Sequence, residues 1–172
     1  MAGQRREFLR LLTSALGTAI GLLAAVPGLR FLAYPLRERT VWGGEEPIRV
    51  AALAELEPGQ PLRVSVVGTR RDGWLRLDGI KLGACWLVRD VDGRVRAFST
   101  VCPHLGCGID WSPNSKRFDC PCHGSSFDAD GRRVAGPSPR DMDELEVKLA
   151  GQDVKVLYRR FRVSTPKKEP LG

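Results

Sequence analysis

Polar and apolar positions divide the chain into an uncharged opening stretch and a long series of short alternating segments. Residues 11–29 carry no charged side chain, about 19 positions in a row, close to the roughly 20 that span a bilayer core as helix. This pattern predicts a transmembrane anchor over 11–35. Thr13, Ser14 and Thr18 can bond back to the helix's own carbonyls, so they do not spoil it. Arg30, Phe31 and Tyr34 suit the outer interface, and Pro27 and Pro35 bracket the exit. Gly17 and Gly21 have the small-xxx-small spacing of helix-packing faces, although in a short span that spacing is more often incidental. No small-x-small cleavage site precedes the polar region, so the anchor is expected to stay uncleaved.

Residues 36–47 are charged and contain Gly43-Gly44, which marks a linker. A half-buried β pattern starts after it. Residues 50–56 are expected as a short helical turn before Pro58-Gly59. Leu62-Arg63-Val64-Ser65-Val66 alternates as a strand. Trp74-Leu75-Arg76-Leu77 and Cys85-Trp86-Leu87-Val88 read as two more, separated by glycine-containing turns. Asp92-Gly93 predicts a hairpin into Val95-Arg96-Ala97-Phe98. Residues 109–118 form another by their turn residues, and Asp130-Gly131 marks a further turn. Leu145-Glu146-Val147-Lys148-Leu149 and Val154-Lys155-Val156-Leu157-Tyr158, with Gly151 between them, predict a closing hairpin. Residues 159–172 are basic and contain proline, as a surface extension would. The fold class is all-β, an antiparallel β-sandwich head behind one helix.

The 172 residues allow one domain plus an appendage. Hydrophobic content of 42% and charged content of 27% are ordinary for a folded protein. A net charge of +7 raises the question of nucleic acid. The basic residues are scattered rather than grouped with aromatics, and no nucleic-acid motif is present. Solvated basic faces and a positive membrane flank account for the charge, with no nucleic-acid partner.

Candidate chemistry is concentrated in one place. The chain has two histidines and five cysteines, and both histidines and four cysteines lie within Cys102-Pro103-His104-Leu105-Gly106-Cys107 and Cys120-Pro121-Cys122-His123-Gly124-Ser125-Ser126-Phe127. Such a gathering of soft and borderline ligands points to a metal centre. Two Cys and two His suffice for tetrahedral zinc or for a 2Fe-2S cluster with two His on one iron. The additional Cys in each half weighs toward the cluster: zinc has no use for further ligands, whereas facing loops can be stapled by a disulfide. Gly106, Gly108 and Gly124 let the backbone turn so that N–H groups face sulfur. Cys85 falls in the β run and is expected as a buried strand thiol, not a ligand.

These two segments resemble the Rieske 2Fe-2S protein of quinol–cytochrome c reductases, the cytochrome bc-type complexes. The family motif is Cys-Thr-His-Leu-Gly-Cys followed by Cys-Pro-Cys-His-Gly-Ser. The resemblance implies that Cys102 and Cys120 bind one iron through sulfur and His104 and His123 bind the other through nitrogen. It implies a Cys107–Cys122 disulfide and hydrogen bonds from Ser125 to the cluster sulfurs. It also implies a head over 48–158, with the cluster subdomain inserted at about 98–139, and a proline loop, Gly136-Pro137-Ser138-Pro139, covering the cluster from a third side. His123 would face the quinol, with His104 beside it, and Leu105 would belong to an apolar collar. The linker at 36–47 would be a hinge, where a passive tether is the plainer alternative. Two imidazoles in place of thiolates raise the potential into a range suited to quinol oxidation. The chain departs from the motif at Pro103, where Thr is usual, and at Phe127, where Tyr is frequent. The missing hydroxyl suggests a lower potential, matched to menaquinol.

The implied function is the electron-transfer subunit of a membrane quinol–cytochrome c oxidoreductase, partnered by a cytochrome b-type subunit and a c-type cytochrome acceptor. The alternative is the small Rieske subunit of a periplasmic molybdenum oxidase such as arsenite oxidase. A soluble Rieske ferredoxin would lack the anchor and the Cys107–Cys122 pair. A structural zinc module would give no Rieske spectrum. A disulfide belongs to an oxidising compartment, and Gln4-Arg5-Arg6-Glu7-Phe8-Leu9-Arg10, within segment 1–10, resembles a twin-arginine export signal. As plain topology charges, Arg5, Arg6 and Arg10 would give the same orientation. The expected location is a bacterial inner membrane, crossed once, with the head on the periplasmic side.

Overall fold

The computed structural model describes residues 2–37, 41–42, 46–71 and 74–171. These fall into two compact units, one built on a helix and the other on the strands. Helix α1 spans Ala2–Arg37 and runs on through Pro27 and Pro35. Each proline lacks the N–H that the helical ladder would use at its position, yet neither ends the helix. Leucines are exposed at 11, 12, 16, 22, 23 and 29, so no single face is polar. A helix apolar all round is suited to lipid. Its span Gly3–Leu36 is long and apolar enough to cross a membrane, with a mean hydropathy of 1.7 over an 18-residue window. The hydroxyl of Thr13 donates to the Leu9 carbonyl at 2.9 Å and that of Thr18 to the Ser14 carbonyl at 2.8 Å, which satisfies these polar groups inside the helix as expected.

Seven strands make one antiparallel sheet. They are β1 (Val41–Trp42), β2 (Ile48–Ala52), β3 (Leu62–Arg71), β4 (Arg76–Arg89), β5 (Val95–Ser99), β10 (Glu144–Ala150) and β11 (Asp153–Leu157), in the order β1-β3-β4-β5-β10-β11-β2. β2 also packs against β3, so the expected sandwich takes the form of a single sheet curled toward closure. Its core holds Ala51, Leu56, Val66, Leu87, Val154, Val156 and Tyr158. Between β5 and β10 the chain leaves this sheet to form a second one of four strands: β6 (Asp110–Ser112), β7 (Arg117–Asp119), β8 (Ser126–Phe127) and β9 (Arg133–Ala135). A short pair, β12 (Arg160–Phe161) and β13 (Pro170–Leu171), closes the chain.

Three expectations need correction. The helical turn expected over 50–56 is strand as far as Ala52, and only Leu53–Glu55 forms a 3-10 turn. The two strands expected at 74–77 and 85–88 are one, β4, which begins at Arg76. The glycines between them sit inside the strand, and the pairing with β3 shifts register there. A Cβ on Gly83 would lie 1.9 Å from the Tyr158 hydroxyl, so glycine is present to admit a crossing ring rather than to turn the chain. Within the expected linker, Val41–Trp42 pairs with Arg71 and Arg70 of β3, while Gly43-Gly44 lies outside the described residues.

Candidate metal centre

The two loops that carry the cysteines and histidines are built alike. In the first, the Cys102 N–H donates to the Cys107 carbonyl at 2.8 Å and the Gly106 N–H to the Cys102 carbonyl at 2.9 Å. In the second, the Cys120 N–H donates to the Ser125 carbonyl at 2.8 Å and the Gly124 N–H to the Cys120 carbonyl at 3.2 Å. Both closures depend on a glycine four residues after the cysteine in the left-handed region, with φ of 84° at Gly106 and 70° at Gly124. A side chain there would strain the backbone. The Val101–Gly108 bridge pins the base of the first loop, and β7 and β8 flank the second.

An aromatic floor supports both loops. Phe118 and Phe127 are fully buried and pack with Ile109, Trp86, Phe98, Met142 and the two cysteines Cys102 and Cys120. The Phe118 ring lies 5.5 Å from Trp86, 6.3 Å from Phe98 and 4.7 Å from Trp111. The Trp86 indole N–H donates to the Ile109 carbonyl at 3.0 Å, which ties the long strand β4 to the start of the inserted sheet.

The disulfide expected between Cys107 and Cys122 is present. The sulfurs of Cys107, Cys120 and Cys122 lie within 4.8 Å of one another. Two of these three are bonded to each other, so Cys120 is the member of the group free to meet a metal. Cys102 and Cys120 are free, buried thiols. Burial raises the Cys102 pKa, and the neighbouring Cys120 adds to the rise; the His104 backbone N–H and the Ser125 hydroxyl, both hydrogen-bonding toward its sulfur, work the other way. The His104 and His123 rings meet edge to face, 4.8 Å between centroids and 88° between planes. His104 is half-buried and His123 exposed. His104 Nδ1 is buried without a hydrogen-bond partner, which is costly unless something coordinates it.

The groups free to ligate are therefore two thiols and two imidazoles, and an orphaned ring nitrogen lies among them. This donor set fits a 2Fe-2S cluster with histidines on one iron, and by type alone it would fit zinc equally. Ser125 is buried beside the set, and its hydroxyl accepts from the Ser138 N–H at 3.1 Å. That bond seats the Gly136-Pro137-Ser138-Pro139 loop against the second metal loop. A Cβ on Gly136 would come within 2.4 Å of the Ser125 Cα, so only glycine permits the seat. Leu105 stays exposed at the tip. Cys85 lies in the other core, its thiol pushed up to about 12 by burial, and takes no part.

One contribution has no signal in the sequence. The tail, expected as a plain surface extension, reaches the first loop. The Ser164 N–H donates to the Pro103 carbonyl at 2.8 Å and its hydroxyl to the His104 carbonyl at 2.6 Å.

Known proteins resolve the choice between zinc and iron–sulfur. A family model described as "Rieske [2Fe-2S] domain" matches residues 46–158. The chain is 32% identical over 161 residues to the cytochrome b6-f complex iron-sulfur subunit of Prochlorococcus marinus subsp. pastoris, covering 87% of this chain and 79% of that one. It is 32% identical over 150 residues to the menaquinol:cytochrome c reductase iron-sulfur subunit of Geobacillus thermodenitrificans, covering 84% and 86%. Among solved structures, the plasma membrane Rieske protein of the cyanobacterium Synechocystis PCC 6803 aligns with a TM-score of 0.40 and 32% identity, over 43% of this chain and 76% of that one. The matched domain encloses both loops and the sheets that carry them, and the chain belongs to the Rieske [2Fe-2S] family.

Proposed function

We propose that this chain is the Rieske subunit of a membrane quinol–cytochrome oxidoreductase, receiving an electron from a quinol and passing it to a c-type cytochrome, with a cytochrome b-type subunit completing the quinol pocket. The observation that carries this reading is the extent of the likeness. Identity of 32% to a cytochrome b6-f subunit covers 87% of the chain, more than the 46–158 domain alone, so it takes in sequence beyond the cluster-binding head. Helix α1 supports an anchor of the same kind.

The cluster, when bound, takes up and releases one electron. Cys102 and Cys120 would hold one iron and His104 and His123 the other. The orphaned His104 Nδ1 is the nitrogen suited to ligation, which leaves Nε2 as the donor or acceptor for a partner. His123 is exposed, so its unligated nitrogen can meet a quinol hydroxyl and hold the proton released there. Leu105, which directly follows His104 and is 56% exposed, offers apolar surface to a quinol ring. The head is proposed to lie on the periplasmic side of a bacterial inner membrane, where a disulfide persists. Protease access to the head in intact spheroplasts tests that side.

Purification of the tagged full chain from its native membrane tests the assignment. Copurification with a b-type cytochrome is expected; recovery with a molybdenum subunit would replace this reading with the periplasmic oxidase.

Phe127 supports menaquinol as the donor. It is fully buried in the same core as Cys102 and Cys120, and its ring has no donor to offer a cluster cysteine. A hydrogen bond to sulfur stabilises the more negative reduced state. At about 1 kcal/mol per bond, its absence lowers a one-electron potential by roughly 40 mV. Phe127→Tyr is expected to raise the midpoint by about that amount in protein-film voltammetry. A high wild-type midpoint, or an unmoved variant, would remove the argument for a low-potential quinol.

A further inference from the structure

We propose that residues 162–165 form a second, non-covalent staple across the two metal loops, and that Ser164 is the positioning residue of the His104 loop. The proposal rests on the loops holding a Rieske cluster. The disulfide Cys107–Cys122 joins the loops directly. A separate chain of contacts joins them through the tail. Ser164 bonds the first loop twice, N–H to the Pro103 carbonyl and hydroxyl to the His104 carbonyl. Val163 packs its side chain toward Gly106 and lines a groove with Leu105.

Arg140 holds the tail on both sides of Ser164. Its guanidinium donates to the Arg162 carbonyl at 2.8 Å and to the Thr165 carbonyl at 2.5 Å. Arg140 is itself fixed by an ion pair with Asp143 at 2.8 Å, with both side chains less than a tenth exposed. A buried guanidinium with a carboxylate and two carbonyls in its fork is tightly oriented. Arg140 directly follows the proline loop, and the Ser138 hydroxyl of that loop donates to the Arg140 carbonyl at 2.8 Å. The Ser138 N–H reaches Ser125 in the second metal loop. The path therefore runs from His104 through Ser164, Arg140 and Ser138 to Ser125 without touching the disulfide.

The backbone of Ser164 supports the same conclusion. Its φ is 59°, in the left-handed region that a residue with a Cβ adopts when its surroundings impose it. That conformation turns N–H and hydroxyl together onto consecutive carbonyls, those of Pro103 and His104. Fixing the His104 carbonyl fixes the peptide that follows the ligand, and with it the direction in which the ring leaves the backbone.

The test uses the full chain with its cluster, as wild type, Ser164→Ala and Ser164→Gly. Both variants lose the hydroxyl and keep the backbone N–H, and glycine also relieves the left-handed strain. If Ser164 positions the loop, both release the cluster to a chelator about tenfold faster than wild type, the factor that one hydrogen bond represents. Both also show a lower midpoint potential, because a His104 loop released from Ser164 no longer holds its backbone N–H toward the Cys102 sulfur, an orientation that favours the more negative reduced state. A purely structural role would leave the potential unmoved. Cluster release and midpoint equal to wild type in Ser164→Ala overturn the proposal, as does slower release in Ser164→Gly, which would mean that strain alone matters. A wild-type chain without a Rieske spectrum would bring down the cofactor reading as well; a normal wild type beside unaltered variants brings down the staple alone.

Discussion

Replacing His123 with alanine is expected to abolish the paramagnetic resonance signal of the reduced protein while leaving the head folded. The methyl group cannot bind iron, and no neighbour can take the place of the ring. The cysteine beside it, Cys122, is held in the disulfide, and the next residue, Gly124, has no side chain. The chain's other histidine, His104, has its ring centroid 4.8 Å from that of His123, and in the proposed set it is itself a ligand. The fold should tolerate the change because the ring is exposed and gives the core nothing. Surface substitutions of that kind usually fall within about 0.5 kcal/mol. Thermal unfolding of the apo head should therefore match wild type, while iron content and the Rieske signal fall to background. A normal signal in His123→Ala would remove that residue from the ligand set.

The site was legible in the sequence because its chemistry is local. Six candidate residues lie in two short segments, and the two-residue separation of Cys102 from His104, with Cys107 three further on, survives folding as one closed loop. The hairpins were legible wherever alternation met a turn residue. Asp92-Gly93 and Gly151 both join the strands expected of them. The sequence misled where a glycine answers to a distant partner. Gly83 looks like a turn, but it is a gap left for the Tyr158 ring, and nothing near position 83 announces that ring. The tail misled in the opposite sense. Ser164 and His104 are 60 positions apart, and a hydroxyl bonding a carbonyl leaves no periodicity. The buried pair Arg140–Asp143 reads in the sequence as two more surface charges.

The double replacement Cys107→Ser with Cys122→Ser should leave the head able to assemble its cluster but unable to keep it. The cross-link spans a sequence separation of 15, and a loop of that size is worth about 3 kcal/mol in the chain-entropy account. The loss should concentrate in the inserted sheet. The core of the curled sheet, around Val66, Leu87 and Val156, contains neither cysteine, so its packing stays intact. The aromatic floor beneath the loops remains, as do the backbone bonds that close each loop on itself. What disappears is the covalent tie that sets one loop against the other. The two pairs of proposed ligands could then separate, and solvent could enter between them. Because Cys122 directly precedes His123, freedom gained there passes straight to the exposed ring. Backbone N–H groups aimed at sulfur favour the reduced state only while the loops hold their orientation, so the midpoint should fall with the cross-link. Three measurements follow on the purified full chain: faster bleaching of the visible spectrum in chelator, a lower midpoint, and a denaturant midpoint reduced in proportion to roughly 3 kcal/mol for the cluster-bearing region. Unchanged stability and potential would mean that the contacts around the loops, rather than the disulfide, fix the site.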